Sequence, residues 1–511
     1  MKNIILLSLC TCLFTGIRAQ QVDVQSYAIS LNLQDTTDQI KASVSITLKY
    51  LQSTRRLKFD LAGMKVKEVF TGPKKYSFEQ DANALYINVD GKAGEQGIYT
   101  ITYGGTPKDG LIISRNKYGH RTFFTDHWPD RAHQWFPCID HPSDKAIFRI
   151  SVAAPDHYTV VANGVKKEEV NMGGHMKMTS WEEKVPLATK VMAFAAADFS
   201  VTHSGDVGNI PVDSYVFRED SLHQGYARAT QILPYFIQLV GPFQFEKLAN
   251  IQSKTIFGGM ENAGAIFYAE ESPGHEKLES LLAHEIAHQW FGDAVTETDW
   301  RHLWLSEGFA TYFTLLYMEH TYSTDTLKAS LKADREKIIA FAKRRKTPVV
   351  DTTVHSNYMQ LLNANSYERG GWVLHMLRRK IGDERFRAGI RQYFRDYNGR
   401  NASTDDFRAE MERAGGENLK GFFTQWLYTA AIPELQVNLN YNESTHTVKM
   451  EVIQNQLPLF EFPLEYTLDK TKPLQKLMIK DKVTTVMIPA AAKPAGIWLD
   501  PDINLLAEFA R

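Results

Sequence analysis

Two histidines four residues apart, with a glutamate directly after the first, stand out in the stretch HEIAHQW at residues 284 to 290. Residues four apart project from one face of an α-helix, so His284 and His288 can hold a single metal ion between them. Glu285 is rotated by about 100° around the helix, which keeps it out of the ligand set but close to a water at the metal. This spacing indicates a zinc site for hydrolysis.

A third ligand is needed, because catalytic zinc usually has three protein ligands and one open position. The stretch LWLSEGFATYF supplies a candidate, Glu307, within an otherwise apolar segment. An isolated carboxylate is unfavourable to bury, and coordination of a cation removes that cost. The alternative is an exposed glutamate in the first turn of its helix. We predict one zinc ion, bound by His284, His288 and Glu307.

The chemistry of such a site is metal-assisted amide hydrolysis. Zinc lowers the pKa of a water in its open position to about 7, and Glu285 can accept the proton as the water attacks a carbonyl carbon. A tetrahedral oxyanion then develops, and a further group besides zinc is expected to stabilise it.

Local signals predict the limits of the helix that carries the histidines. Ser272 followed by Pro273 is a typical helix start, since serine caps free amide groups and proline fits the first turn. Gly292 is a typical helix end.

The hydrophobic pattern divides the 511 residues into three regions after a leader at 1–19. Alternation with period two over residues 20–204 predicts a mostly antiparallel β domain. Apolar residues three and four apart over 205–432 predict a helical catalytic domain, and alternation returns over 433–511, as in a β-sandwich. The predicted fold class is therefore multidomain α+β.

The first nineteen residues have the outline of a secretory signal peptide: an early lysine, an apolar run from Ile4 to Phe14, and Ala19 at the predicted cleavage site. The alternative is a membrane anchor, but the run is shorter than the roughly 20 apolar residues that a span requires. We expect export to the periplasm or the extracellular space.

Charge and cysteine content exclude several other classes. The formal net charge is −1, which argues against nucleic acid or an anionic membrane surface as a partner. Cys10 and Cys12 lie in the leader, so Cys138 is the only thiol of the processed chain and no intrachain disulfide can form. Its apolar neighbours favour a buried, inert cysteine over a catalytic one.

The motifs HEIAHQWFGD, LWLSEGFA and FGGMENAGAI together resemble the gluzincin zinc aminopeptidases, the family of membrane alanyl aminopeptidase and leukotriene hydrolase. FPCIDHPSDKAIF, SYERGG and WLYTAAIPELQV have counterparts in the same family. The resemblance implies a thermolysin-like catalytic domain. It is to a short form, because larger members continue into a helical C-terminal domain that covers the site, and we expect a more open cleft here.

The resemblance also implies roles for individual residues. Tyr367 would donate its hydroxyl to the oxyanion, whereas the sequence alone favours a packed helix residue. Glu261 would bind the free α-amine, which restricts cleavage to the N-terminus of a peptide. The backbone of Gly258 and Gly259 would pair with the substrate, Met260 would border the first specificity pocket, and Asn262 completes this substrate-binding stretch.

One position departs from the family pattern. Many relatives carry a second glutamate or a glutamine eight residues before the FP of FPCIDHP, where this chain has Trp128. Either Asp126 or Asp130 could substitute, or the amine could rest chiefly on Glu261.

These observations predict a zinc aminopeptidase acting on peptides with a free N-terminus. A zinc endopeptidase is an alternative, although Glu261 argues against it, and an inactive peptide-binding scaffold is another, although the predicted site is intact. No feature requires a leukotriene-type epoxide hydrolase.

Overall fold

The computed structural model describes residues 20–220 and 223–510, and the predicted signal peptide lies outside this range. The predicted fold class is confirmed: an N-terminal β region, a mainly helical catalytic region and a C-terminal β region follow one another. The predicted limits between these regions stay predictions. None of the helices described combines the length and the apolar character needed to cross a bilayer.

The N-terminal region is built around an eight-stranded sheet. Its strands pair antiparallel except for one parallel pair, Val22–Asn32 with Lys145–Pro155. In sheet order the strands are Val165–Gly173, Met176–Ala188, Lys145–Pro155, Val22–Asn32, Ile40–Tyr50, Gln96–Gly105, Lys65–Thr71 and Lys74–Lys75.

Two smaller antiparallel sheets complete this region. One contains Thr159–Ala162, Phe194–Ala197, Arg121–Thr125 and Leu111–Arg115, and the other contains Thr54–Asp60, Ala84–Gly91 and Phe78–Gln80. Residues that alternate along these strands, among them Val44, Ile46 and Leu48, are fully buried in a common apolar core. The alternating sequence pattern therefore identified the core face of these strands.

The catalytic region opens with a five-stranded mixed sheet, which the prediction of a helical domain missed. Its order is Phe199–Val207, Ile210–Phe217, Leu248–Ser253, Ala265–Ala269 and Gly259–Met260. All six residues of Leu248–Ser253 are buried. A strand covered on both faces has no alternating pattern, so the period-two signal was absent.

Eight α-helices of the described residues follow the first strands of this sheet. They are α1 (Ala229–Leu239), α2 (Leu278–His288), α3 (Trp304–Thr321), α4 (Thr324–Arg344), α5 (Gly370–Ile381), α6 (Asp383–Tyr397), α7 (Thr404–Gly415) and α8 (Lys420–Leu427). A short parallel pair, Thr296–Glu297 with Asn401–Ala402, joins the segment after α2 to the segment after α6.

The predicted limits of α2 are wrong at both ends. The helix begins at Leu278, because Pro273 and the left-handed Gly274, with φ of 80°, form a turn before it, and the Ser272 hydroxyl pairs with Tyr226 Oη at 2.7 Å instead of capping. It ends at His288, four residues before Gly292.

The C-terminal region contains two sheets whose buried residues belong to the same apolar core as the helices. One sheet contains Val483–Pro489, Thr447–Gln454, Glu434–Asn442 and Glu508–Phe509. The other contains Gln475–Ile479, Phe462–Thr467 and Trp498–Leu499.

Candidate active site

The three predicted metal ligands converge in the structure. His284 and His288 project from α2, and Glu307 lies in the first turn of the adjacent α3. The two Nε2 atoms are 3.2 Å apart, and they lie 3.4 Å and 3.3 Å from Glu307 Oε2. Three ligand atoms of different side chains thus form a nearly equilateral triangle.

This triangle fits a tetrahedral zinc ion. Zinc–ligand distances of about 2.0–2.1 Å place any two ligands of a tetrahedron roughly 3.3 Å apart, as observed here. Glu307 Oε2 is buried and makes no hydrogen bond to any of the described residues, although both ring nitrogens face it. The carboxylate oxygen and the two ring-nitrogen lone pairs repel one another unless a cation lies between them. The arrangement therefore favours a bound cation.

The backbone after α2 orients one of the ligand rings. His288 Nδ1 lies 3.1 Å from the carbonyl oxygen of Phe291 and 3.1 Å from Ser306 Oγ. A proton on Nδ1 that is donated to this carbonyl leaves the Nε2 lone pair free to bind metal.

Glu285 lies beside the triangle and outside it, as the helical spacing predicts. It is buried, and a Cβ atom added to Gly259 would lie 2.3 Å from its Oε1. Burial raises the pKa of the Glu285 carboxyl well above its ordinary value, while the neighbouring His288 lowers it and the carboxylates of Glu261 and Glu307 raise it further. Three carboxylates therefore share one buried site with two imidazoles, which favours a bound cation.

The stretch GGMEN runs along the edge of the five-stranded sheet. Gly259–Met260 is its outermost strand and pairs antiparallel with Ala265–Ala269. An extended peptide can add to such an edge through main-chain hydrogen bonds. Met260 and Asn262 are buried, and the carbonyl of Gly258 already accepts a hydrogen bond from the amide of Ala269 at 2.9 Å.

Gln289, which the sequence analysis did not single out, ties this edge to α2. Its Nε2 donates to the carbonyl of Glu261 at 2.9 Å, and its Oε1 accepts from the amide of Gly264 at 2.7 Å. Its position directly after the predicted ligand His288 was the sequence signal that could have indicated this role. Gln289 therefore fixes the backbone of Glu261 relative to the metal ligands.

Glu261 is the carboxylate that faces the cavity from the sheet edge. It is 5% exposed, and its Oε1 has no partner among the described residues. The two alternatives do not reach the cavity: Asp126 is fully buried and paired with Arg131, and Asp130 lines a separate cleft near His133. Neither aspartate substitutes for the missing second carboxylate.

Tyr367 lies on a π-helical turn, Asn365–Arg369, directly before α5. Its ring stacks on that of His284, with centroids 6.0 Å apart and 13° between the planes. Burial raises the pKa of its hydroxyl well above the ordinary value, and the charges of Glu307 and Glu261 raise it further. The hydroxyl therefore keeps its proton at neutral pH and can donate a hydrogen bond.

Arg369 anchors this turn, and the sequence analysis also missed its role. Its side chain is fully buried and donates to the carbonyls of Thr429, Ala430 and Ala431 at 2.7, 3.2 and 3.0 Å. The sequence motifs SYERGG and WLYTAAIP are thus in contact. Their separation along the chain gave no indication of this contact.

The cavity in front of these residues has a volume of about 240 Å³. This is below the range of roughly 300–1,000 Å³ that is typical of pockets for drug-sized ligands. Its lining includes nine of the ten predicted site residues, all except Asn262: Gly258, Gly259, Met260, Glu261, His284, Glu285, His288, Glu307 and Tyr367. Trp128 also lines the cavity.

A helix with the HExxH pattern, completed by a glutamate from the next helix, defines a metallopeptidase site of the zinc-binding class. The chain belongs to peptidase family M1. The family model described as Peptidase M1 N-terminal domain matches residues 24–191, and that described as Peptidase family M1 domain matches residues 228–426. Together they cover more than half of the chain. Metallopeptidases of this family depend on zinc.

Among curated relatives, glutamyl aminopeptidase of Homo sapiens is 30% identical over 334 residues, 61% of this chain and 35% of that protein. Probable aminopeptidase 2 of Sulfurisphaera tokodaii is 28% identical over 410 residues, 76% of this chain and 52% of that protein. The chain therefore spans about a third to a half of the length of these relatives.

Solved structures support the fold. The M1 zinc metallopeptidase from Deinococcus radiodurans has a TM-score of 0.71 at 24% identity, covering 81% of this chain and 95% of that one. The aminopeptidase A of Legionella pneumophila in complex with aspartic acid has a TM-score of 0.83 at 16% identity, covering 97% of this chain and 60% of that one.

Proposed function

We propose that this protein is a zinc aminopeptidase that uses one zinc ion to remove the first residue of a peptide. The observation that carries the proposal is the position of Glu261. A carboxylate oxygen of Glu261, one of Glu285 and a ring nitrogen of His288 all lie within 4.8 Å of one another. A carboxylate so near the ligands can pair with an ammonium group, which a main chain offers only at its N-terminus.

The residues of the chain then divide the reaction among them. Zinc, when bound by His284, His288 and Glu307, supplies positive charge that acidifies water and polarises a carbonyl. Glu285 accepts the proton of the attacking water and can return it to the leaving amine. Tyr367 donates its O–H to the oxyanion, and Glu261 holds the α-ammonium so that the first peptide bond lies at the ligands.

The buried carboxylate of Glu261, whose Oε1 has no partner among the described residues, supports removal of one residue over cleavage within a chain. An endopeptidase has to bind several residues on both sides of the bond, and the carboxylate of Glu261 would then be left buried without a partner. A peptide with an acetylated N-terminus should therefore be cleaved far more slowly than the free form.

The test uses amino-acyl anilides, with the zinc-loaded parent, the chelator-treated parent, and Glu285→Gln. Activity should fall by at least about 1,000-fold on chelation, which removes the metal, and by a similar factor in Glu285→Gln, which removes the proton acceptor of the same step. Glu276→Gln, the same change at an exposed residue before α2, is the matched control and should retain parental activity. An inert zinc-loaded parent that still binds peptides would instead support a scaffold.

The variant Glu261→Gln distinguishes an exopeptidase from an endopeptidase. It keeps the shape of the side chain and removes the charge, so the loss should be concentrated on substrates with a free amine. An equal loss on acetylated substrates would contradict the role of Glu261.

We also propose that the protein is exported to the periplasm or the extracellular space, on the basis of the leader-like residues 1–19. N-terminal sequencing of the protein from separated cell fractions tests this. A chain that begins at Gln20 outside the cytoplasm is the expected result, and an uncleaved cytoplasmic chain would contradict it.

A further inference from the structure

The wall of the cavity next to Glu261 is apolar and aromatic. With the amine at Glu261 and the carbonyl at the three ligands, the first side chain of the substrate must face the remaining lining: Trp128, Phe257, Met260, Leu281 and Leu362. Trp128 packs edge-on against Phe257, with ring centroids 5.9 Å apart, and against Trp300 at 5.6 Å. These contacts make Trp128 a fixed part of the wall.

No lysine or arginine is among the cavity-lining residues of the part of the chain that the structure describes. The lining carries three carboxylates, those of Glu261, Glu285 and Glu307. Once the metal and the substrate ammonium are bound, nothing in this lining is left to pair with an acidic side chain of the substrate. Such a side chain would lose its hydration without gaining a partner.

Two cations lie near the wall, but both are engaged elsewhere. The Arg131 guanidinium stands 6.0 Å from the centre of the Phe257 ring, yet its N–H groups go to Asp109, Asp126 and the carbonyl of Trp128. Lys190 stands 5.4 Å from the centre of the Trp300 ring and is 1% exposed.

The Lys190 ammonium pairs with Glu297 at 2.6 Å, in an ion pair that is fully buried. Neither cation can therefore turn toward a substrate without leaving a buried carboxylate unpaired, which is strongly unfavourable.

We propose that the first-residue pocket selects large uncharged side chains, such as those of leucine, methionine and phenylalanine, and rejects aspartate and glutamate. This inference rests on the proposed aminopeptidase function and adds its substrate class. It separates the chain from the relatives that bear the name glutamyl aminopeptidase. The physical basis is an apolar wall that offers no cation to an acidic side chain.

The first experiment compares kcat/KM for leucyl, methionyl, phenylalanyl, glutamyl and aspartyl anilides with the parent protein. The uncharged substrates should exceed the acidic ones by at least about 100-fold, since an unpaired or like-charged group at an interface carries a large penalty. Faster or equal cleavage of the acidic substrates would overturn the inference and leave the aminopeptidase function standing. If the protein cleaves none of the five anilides, the proposed aminopeptidase function itself is contradicted.

Binding provides a readout that does not depend on turnover. Calorimetry with Glu285→Gln should give tighter binding of Leu-Leu than of Glu-Leu, in the same order as the rates. Equal or reversed affinities would overturn the inference.

Substitutions in the wall test which residues set the preference. Leu362→Lys places an ammonium group at the half-buried edge of the pocket and should raise the ratio of glutamyl to leucyl cleavage by at least about tenfold. Phe257→Lys should act in the same direction and covers the case in which the first variant does not fold.

Val201→Lys adds the same charge at a residue that is 48% exposed, outside the cavity lining, and should leave the ratio unchanged. If both wall variants also leave the ratio unchanged, the assignment of these residues to the pocket is overturned.

Discussion

Gly308 and Gly370 are in direct contact: a Cβ atom added to Gly308 would lie 2.8 Å from the Cα atom of Gly370. Gly308 directly follows the ligand Glu307 on α3, and Gly370 begins α5, three residues after Tyr367. The two helices can approach this closely only because neither carries a side chain at the crossing. This contact sets the distance between a metal ligand and the proposed oxyanion donor.

Gly308→Ala should therefore separate α3 from α5. Overpacking of this kind typically costs about 1–3 kcal/mol of stability, and a displacement of about 1 Å at a reacting group can lower kcat about 100-fold. Gly421→Ala is the matched control, because an added Cβ on α8 meets nothing within 4 Å. That control should gain roughly 0.5–1 kcal/mol from helix propensity. Urea unfolding and anilide kinetics measure both effects, and parental kcat in Gly308→Ala would contradict the role of the contact.

Gly259→Ala should impair catalysis more than Gly258→Ala, although the residues are neighbours. A Cβ on Gly259 would lie 2.3 Å from Glu285 Oε1, whereas a Cβ on Gly258 has Leu281 Cδ1 at 3.9 Å, an ordinary contact. Displacing the proposed base should lower kcat by about 100-fold or more. Steady-state kinetics of the two variants test this, and similar losses would show that Gly259 does not act through Glu285.

Arg369→Lys should destabilise the protein and lower kcat together. A lysine cannot reproduce the fork that reaches the carbonyls of Thr429, Ala430 and Ala431, and the loss of these hydrogen bonds to a charged donor should cost about 1–3 kcal/mol in total. The turn that carries Tyr367 then loses its anchor. Arg379→Lys, at an exposed position on α5, is the control and should match the parent in unfolding and kinetics. Unchanged stability of Arg369→Lys would contradict the anchoring role.

Asp144→Asn should stabilise the protein at high pH only. Asp144 is buried and accepts from Gln20 Nε2 at 2.6 Å and from the amide of Val24 at 3.2 Å, while its Oδ2 has no partner among the described residues. Burial raises the pKa of this carboxyl to about 7, despite the opposing hydrogen bonds. The folded protein therefore retains a proton between about pH 4 and pH 7 that the unfolded chain releases, and stability falls as pH rises through this window.

The asparagine variant is neutral throughout, so its advantage should be near zero at pH 4 and reach roughly 4 kcal/mol above pH 7. Urea unfolding at pH 5 and pH 8 gives the comparison. Asp90→Asn removes a charge from an exposed position and should follow the pH dependence of the parent. An advantage of Asp144→Asn that is the same at both pH values would contradict the burial of a protonated carboxyl.

Cys138 should not react with thiol reagents in the folded protein. Its side chain is fully buried, and burial raises the pKa of the thiol well above its ordinary value. Only the thiolate reacts, so labelling of a Cys10→Ser, Cys12→Ser protein should begin upon denaturation. Addition of Ser53→Cys, at an exposed position, should give one rapidly labelled thiol.

The sequence predicted those parts of the site that depend on local spacing. His284, Glu285 and His288 lie within one helix, so helical geometry alone brings them near one another, whereas the approach of Glu307 depends on the packing of α3 against α2. The start of α2 was missed because Ser272 satisfies its hydroxyl with Tyr226, a partner that is distant in sequence.

Features that depend on contacts between distant segments could not be predicted in this way. Arg369 acts on carbonyls about sixty residues away, and Gln289 acts on the turn between two strands that precede its helix. Likewise, only the folded chain shows that Asp126 pairs with Arg131 and does not reach the cavity. In each case the residue type was visible, but its partner was set by the packing of the whole domain.

Trp128 enters the cavity from the N-terminal β region, whereas the metal ligands come from α2 and α3. One side of the proposed first-residue pocket therefore comes from a region that supplies none of the metal ligands, whereas Phe257, Met260, Leu281 and Leu362 belong to the catalytic region itself. Variation at Trp128 is thus a route by which evolution or directed mutagenesis alters the choice of peptide with every metal ligand kept.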